Sequence, residues 1–75
     1  MIPVQVECYA GYKGSERPVR FRFGSHIIEV EAVEDQWHSP DIMYFRVRGN
    51  DGKTYVLKHN EGQDQWTLEV YKDQG

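Results

Sequence analysis

The sequence predicts an all-β domain, a small antiparallel barrel or roll of about six short strands. Apolar and polar residues alternate with period two along much of the chain, as in Phe21-Arg22-Phe23, which is typical of strands with one buried face. Glycine-containing turn sequences separate these runs, and no convincing helical pattern is present. An SH3-like barrel is favoured, and a twisted antiparallel meander sheet is the alternative. The predicted strands span residues 2–9, 18–23, 26–36, 43–49, 53–59 and 65–72.

The length and composition predict one β domain that spans residues 1–75. A chain of 75 residues provides one small core, which leaves no room for a second, catalytic domain. Hydrophobic residues make up 39% and aromatic residues 13% of the sequence, so the chain has enough bulky side chains to fold alone.

The second and third strands are predicted to form a hairpin at Gly24. A two-residue loop that begins with glycine suits a type II′ turn, in which that glycine has a positive φ. This loop length places Phe21 opposite Ile28 on one face and Arg20 opposite Glu29 on the other. The apolar pair therefore faces the core, and the charged pair faces solvent.

The fourth and fifth strands are predicted to join through a three-residue loop within residues 49–53. Gly52 would take the left-handed position that follows a type I turn. This loop sets Phe45 opposite Leu57, whereas a two-residue loop would set it opposite Lys58. The apolar face therefore favours the longer loop.

The third strand is apolar on both faces, with Ile28 and Val30 on one face and Val33 and Trp37 on the other. Such a strand must be covered on both sides or must bend between two parts of the sheet. We expect it to be the bent strand of the barrel. A third turn is predicted at residues 60–62, ahead of the last strand.

Two segments that lack strand periodicity, residues 10–17 and 36–42, are the candidates for a binding surface, because loops on a rigid barrel often carry function. Aromatic rings in and beside these loops would offer a partner flat apolar surfaces with polar edges. The alternative is that Tyr12 and Trp37 close the ends of the barrel as core residues. The candidate binding residues are Tyr9, Tyr12, Arg17, Trp37, His38, Asp41 and Tyr44.

Cationic side chains on the outward faces of the strands define an alternative surface, for nucleic acid. These are Arg20, Arg22, Arg46, Arg48 and Lys58. Glu29 and Glu31 are predicted to lie across from the first two, which favours solvated ion pairs over phosphate contacts. Nine Lys and Arg against 12 Asp and Glu give a net charge of −3, and this charge also disfavours nucleic acid.

The sequence predicts no metal, no cofactor and no catalytic residue. Cys8 is the single cysteine, and the three histidines lack the spacing of metal ligands. No nucleotide-binding motif is present, and a core this small is a poor host for a substrate cavity. We therefore expect a protein that is not an enzyme.

The sequence favours a cytoplasmic protein with no membrane partner. Its N-terminus lacks a basic segment followed by an apolar run, and no window approaches the roughly 18 apolar residues of a membrane span. A single cysteine also fits a reducing compartment.

Spaced glycines and aromatic residues link the chain to a known group of proteins. It contains Gly11-Tyr12-x-Gly14-x-x-Arg17-Pro18-x-x-Phe21, then Trp37, Tyr44-Phe45-x-Val47, Gly52-x-x-Tyr55-x-Leu57-x-His59 and Trp66-x-Leu68. This pattern resembles small stand-alone bacterial proteins of unknown function. The segment between Pro18 and Leu68 is also similar to a terminal β segment of some bacterial proteins related to damage-tolerance polymerases. The resemblance implies a bacterial, cytoplasmic, single-domain protein and supplies no site residues.

Taken together, these patterns favour a binding module that contacts another protein through the aromatic loop groove. A nucleic-acid accessory module that uses the arginine face is the alternative.

Overall fold

The computed structural model describes residues 2–10 and 16–72, and these residues form strands and turns without a helix. All strand pairs are antiparallel, in the order β1-β7-β6-β5-β4-β3-β2 across one sheet, which confirms the all-β antiparallel prediction. The seven strands are β1 (Ile2–Pro3), β2 (Gln5–Ala10), β3 (Glu16–Phe23), β4 (His26–Ser39), β5 (Ile42–Gly49), β6 (Thr54–Asn60) and β7 (Gln65–Lys72).

The N-terminal segment forms both edges of this sheet. β1 pairs with β7, while β2 pairs with β3 at the opposite edge. Between them, the backbone N–H of Val4 donates to the carbonyl oxygen of Trp66 at 3.1 Å. The single strand predicted for residues 2–9 is therefore two strands. Because one continuous segment borders both edges, the sheet curls into a half-barrel.

Alternating inward side chains from β3 to β7 form the core. Phe21 meets Tyr55 edge-on with ring centroids 4.9 Å apart, and Phe45 stacks on Trp66 at 5.7 Å. Phe21 and Phe45 are buried as predicted, and Trp66 is partly buried and packs against the core. The buried apolar residues are Phe21, Ile28, Phe45, Val47, Tyr55, Leu57 and Leu68.

The β3–β4 hairpin has the predicted register. Phe21 pairs with Ile28 and Arg20 pairs with Glu29. Gly24 has a φ of 56°, and the residue after it does not have a positive φ. This combination fits the predicted type II′ turn, since a type I′ turn needs a positive φ at both positions.

The β5–β6 hairpin also has the predicted loop. The Gly49 N–H donates to the Lys53 carbonyl at 2.9 Å, and the Gly52 N–H donates to the Gly49 carbonyl at 3.0 Å. Gly52 takes a φ of 82°, the left-handed position expected for it. Phe45 accordingly pairs with Leu57.

β4 is longer and less regular than predicted. Two register shifts against β5 leave Glu31 and Glu34 as extra residues, each without a paired residue on β5. Each β-bulge reverses which residues face the core, so Val33 joins Val30 on the core side after the first. The second restores the original alternation, which places Trp37 on the outer face opposite Tyr44.

The predicted loop over residues 36–42 is wrong, because β4 continues to Ser39 and only two residues form the turn. Pro40 supplies a fixed negative φ, and Asp41 follows with a φ of 63°, which is the pattern of a type II turn. Between β6 and β7 the turn spans residues 61–64, and its left-handed residue is Asp64 at 53°.

Candidate functional site

An aromatic pair lies on the outer face of the β4–β5 hairpin. Trp37 and Tyr44 are cross-strand partners, and their rings stack with centroids 5.3 Å apart and planes 10° from parallel. Trp37 is 43% exposed and is not part of the core. Trp37 is therefore a surface residue on a strand, and it does not close the end of the barrel as a core residue.

Two turns meet beside this aromatic pair. The Glu61 N–H donates to the Asp41 carbonyl at 2.9 Å, which joins the β6–β7 turn to the β4–β5 turn. His38 Nε2 lies 3.6 Å from Glu61 Oε1, close enough for an ion pair when the imidazole is protonated. Four of the predicted binding residues therefore lie at one end of the sheet: Trp37, His38, Asp41 and Tyr44.

The other candidates lie elsewhere. Tyr9, which is 63% exposed, and Arg17 line a shallow cleft of about 280 Å³ between β3 and β4. Pairing of these two strands spans only residues 20–23 and 26–29, and the cleft lies beyond its end. Trp37 is not in the lining of this cleft, so the single groove predicted from the sequence is two separate surfaces. Tyr12 lies outside the described residues.

Arg20 is enclosed by carboxylates on the β2–β3–β4 surface. Its guanidinium lies 2.6 Å from Glu29 and 2.8 Å from Glu7. The hydrogen bond from Arg20 to Glu29, with the charges of Glu29 and Glu7, raises the pKa of Arg20. Arg22 hydrogen-bonds to Gln5 on the neighbouring strand.

Arg46 and Arg48 belong to a ladder of alternating charges produced by the bulges of β4. Arg48 lies 3.8 Å from Glu31 and 3.5 Å from Glu34. Arg46 lies 4.0 Å from Glu34 and 3.8 Å from Asp35. Three carboxylates thus surround two guanidinium groups, so this part of the predicted nucleic-acid face carries no excess of positive charge. Its fifth member, Lys58, is half-buried and pairs in register with Tyr44.

His59 is a buried histidine on the core face of β6. The ring is only 8% exposed and stacks on Trp66 with centroids 4.2 Å apart, while Nε2 lies 3.0 Å from Asp64 Oδ1. The sequence does contain the signal for this burial, because His59 continues the inward alternation of Tyr55 and Leu57.

Within residues 2–10 and 16–72 no three His, Cys, Asp or Glu side chains are grouped so that they could hold a metal ion. The same residues include no helix of the length and apolarity needed to cross a bilayer.

The chain matches no protein-family model, no curated protein and no solved structure. The resemblance to small bacterial proteins therefore stays an expectation, and the candidate site is defined by geometry alone.

Proposed function

We propose that the protein is a small SH3-like barrel of the bacterial cytoplasm that binds another protein and has no enzymatic activity. Trp37 and Tyr44 would form the centre of the binding surface, with His38 and Asp41 beside them. The observation that carries the proposal is the exposure of Trp37, 43% on the outer face of a strand. Tryptophan and tyrosine are over-represented among residues that dominate binding energy at protein interfaces.

The rigidity of this aromatic pair supports the same conclusion. Both residues sit within paired strands, and their parallel stacking restricts the two rings before any partner arrives. A surface that is already ordered loses less conformational entropy on binding than a mobile loop does. The aromatic pair is thus better suited to recognition on paired strands than it would be in the loop predicted for residues 36–42.

Nucleic-acid binding has weaker support. Trp37 could stack on a base, but Arg20, Arg46 and Arg48 are each within 4.0 Å of two carboxylates. Phosphate contacts with these arginines would have to displace existing ion pairs. The charge pattern therefore favours a protein partner over an extended phosphate backbone.

The test compares Trp37→Ala with Ile27→Ala, a control that truncates another exposed apolar side chain ten positions earlier on β4. Each variant and the parent protein are used as bait in a bacterial lysate, and thermal melts are recorded in parallel. We expect Trp37→Ala to lose the captured partner while its melting temperature stays close to that of the parent. Ile27→Ala should retain the partner.

A titration with single-stranded oligothymidine at 50 and 500 mM salt separates the two classes of partner. Binding that weakens steeply with salt and is lost in Arg46→Gln would favour the nucleic-acid alternative. If the parent captures no protein, and Trp37→Ala melts far below Ile27→Ala, then Trp37 is a structural residue and the proposed function is wrong.

A further inference from the structure

The negative charge of this protein is concentrated at one end of the sheet. We define the turn end as residues 34–46 and 58–67, which contain the aromatic pair, the β4–β5 turn and the β6–β7 turn. The turn end carries five carboxylates and two cationic side chains, a net charge of −3 with histidines neutral. The whole chain also has a net charge of −3, so the remainder is neutral.

The turn end contains two cations, Arg46 and Lys58, and Lys58 pairs in register with Tyr44 of the aromatic pair. Arg46 lies against Glu34 and Asp35, on the side of the aromatic pair away from the turns. At the turns, Glu61 lies beside His38, and Asp64 lies beside His59. Asp64 is 89% exposed in its side chain. The turns therefore present carboxylates to solvent at the same end of the sheet as the exposed indole of Trp37.

An indole face beside carboxylates is a favourable environment for a cationic side chain. Lys and Arg are attracted to the face of tryptophan more strongly than to the other aromatic rings, and the nearby carboxylates add Coulombic attraction. The alkyl stem of either side chain can also pack against Trp37 and Tyr44.

From this combination we infer that the turn end binds a basic segment of a partner protein, with a Lys or Arg side chain against Trp37 and further cations near Glu61 and Asp64. The inference rests on the proposed function and adds the charge of the partner to it.

Charge argues against the other occupants of this surface. A second copy of the chain would bring two turn ends of net charge −3 together, and like charges at an interface repel. A nucleic acid would bring phosphates to the same carboxylates. A basic segment is the occupant whose charge complements the turn end.

The experiment selects binders from a displayed library of random 12-residue peptides, with the parent protein as target. Recovered peptides are synthesised, and their affinities for the parent and three variants are measured by fluorescence anisotropy at 50 and 500 mM salt. Trp37→Ala tests the aromatic pair. Glu61→Lys reverses one charge at the turn end, and Glu7→Lys makes the same change at an exposed glutamate outside the turn end. Circular dichroism checks that each variant is folded.

We expect enrichment of peptides with net positive charge and at least one Lys or Arg beside an apolar residue. Affinity should fall at least tenfold in Trp37→Ala and about three- to tenfold in Glu61→Lys at low salt, but less than twofold in Glu7→Lys. The effect of Glu61→Lys should shrink at 500 mM salt, because screening weakens interactions between exposed charges.

Neutral or acidic peptides that still need Trp37 would overturn the inference and leave the proposed function standing. Peptides that bind equally well to Trp37→Ala, or no enriched peptide at all, would contradict both. If Trp37→Ala is misfolded, Tyr44→Ala takes its place, and the comparison of Glu61→Lys with Glu7→Lys still decides the charge of the partner. Sedimentation that shows a parent dimer lost in Trp37→Ala would identify a second copy as the occupant instead.

Discussion

β5 forms two hairpins, and the two differ in regularity. With β6 it makes seven consecutive residue pairs without a register shift, and the inward side chains Phe45, Val47, Tyr55 and Leu57 are buried. With β4 it makes eight pairs interrupted by two bulges, and this hairpin carries the exposed Trp37. The same strand therefore contributes to the core through one hairpin and to a charged, aromatic surface through the other.

The difference is also energetic. Burying one large apolar side chain contributes about 1.5–3 kcal/mol, whereas an exposed ion pair contributes about 0–1 kcal/mol. The charge ladder that the bulges create at Arg46 and Arg48 is thus a weak source of stability. Regular pairing with β6 stabilises the fold, whereas the irregular pairing with β4 contributes an exposed surface of charged and aromatic side chains.

Phe45→Ala should have the largest effect, because Phe45 is 3% exposed and stacks on Trp66. Truncating a buried phenylalanine costs about 3–5 kcal/mol, which is enough to unfold a domain of this size. Circular dichroism and urea denaturation measure this loss, with Trp37→Ala as the matched aromatic truncation on the outer face. Equal losses of unfolding free energy in the two variants would show that the two hairpins of β5 do not differ in their contribution to stability.

Gly49→Ala tests the point where β4, β5 and the following turn come together. A Cβ at this position would lie 2.5 Å from Ile28 Cγ2 and 2.8 Å from Asp51 Oδ1, so neighbours must shift. Overpacking of this kind costs about 1–3 kcal/mol. Gly62→Ala is the control, since its Cβ would meet only Asn60 Oδ1 at 3.5 Å. Equal urea midpoints in the two variants would show that the close approach at Gly49 does not limit stability.

Gly24→Val tests the β3–β4 turn, which lies away from both hairpins of β5. The space around this glycine is open, so its φ of 56° is the only obstacle to a side chain. A β-branched residue in that conformation costs about 1–2 kcal/mol. Ser25→Val, at a position without a positive φ, is the control. An unchanged melting temperature in Gly24→Val would exclude the turn type described for this hairpin.

Asp51 supports the β5–β6 turn and should give the smallest effect. Burial raises its pKa, but the hydrogen bonds from the Tyr55 hydroxyl at 2.5 Å and the Lys53 N–H more than offset burial, so the pKa is lowered. Because its pKa is lower in the folded state, the ionised Asp51 adds to the free energy of unfolding above the ordinary carboxyl pKa. This contribution is lost as the pH falls below about 4. Asp51→Asn should cost only about 0.5–1 kcal/mol at pH 7, because the group is exposed.

Urea denaturation from pH 7 to pH 2 measures this dependence. Part of the acid destabilisation should disappear in Asp51→Asn. Tyr55→Phe removes the hydroxyl donor and keeps the carboxylate, so it should reduce the same part of the pH dependence. A parent-like pH profile in both variants would mean that this hydrogen bond does not stabilise the turn.

The regular parts of the fold follow from the sequence by elementary rules. Alternation identifies the inward residues of β5 and β6, and the positions of Gly24 and Gly52 identify two turns and their registers. These predictions succeed because strand period and turn length depend on residues that are adjacent in sequence.

The irregular parts do not follow in the same way. Glu31 and Glu34 each shift the alternation by one residue, so the end of β4 has the sequence pattern of a loop although it pairs fully with β5. Whether an extra residue forms a bulge depends on its partner strand, which periodicity along one strand does not reveal. For the same reason, the sequence identified Trp37 and Tyr44 as candidates but not their stacking.

The shared border formed by β1 and β2 has a consequence for the order of folding events. Ile2 pairs with Leu68, two residues that are almost a chain length apart, whereas every other strand pair joins neighbours in sequence. Hairpins of the meander can form locally and early, but this last ladder requires closure of a loop that contains nearly all of the protein. During synthesis, Ile2 and Pro3 must therefore wait for β7 to emerge, and until then the growing edge of the meander has unpaired backbone groups that invite contact with other chains.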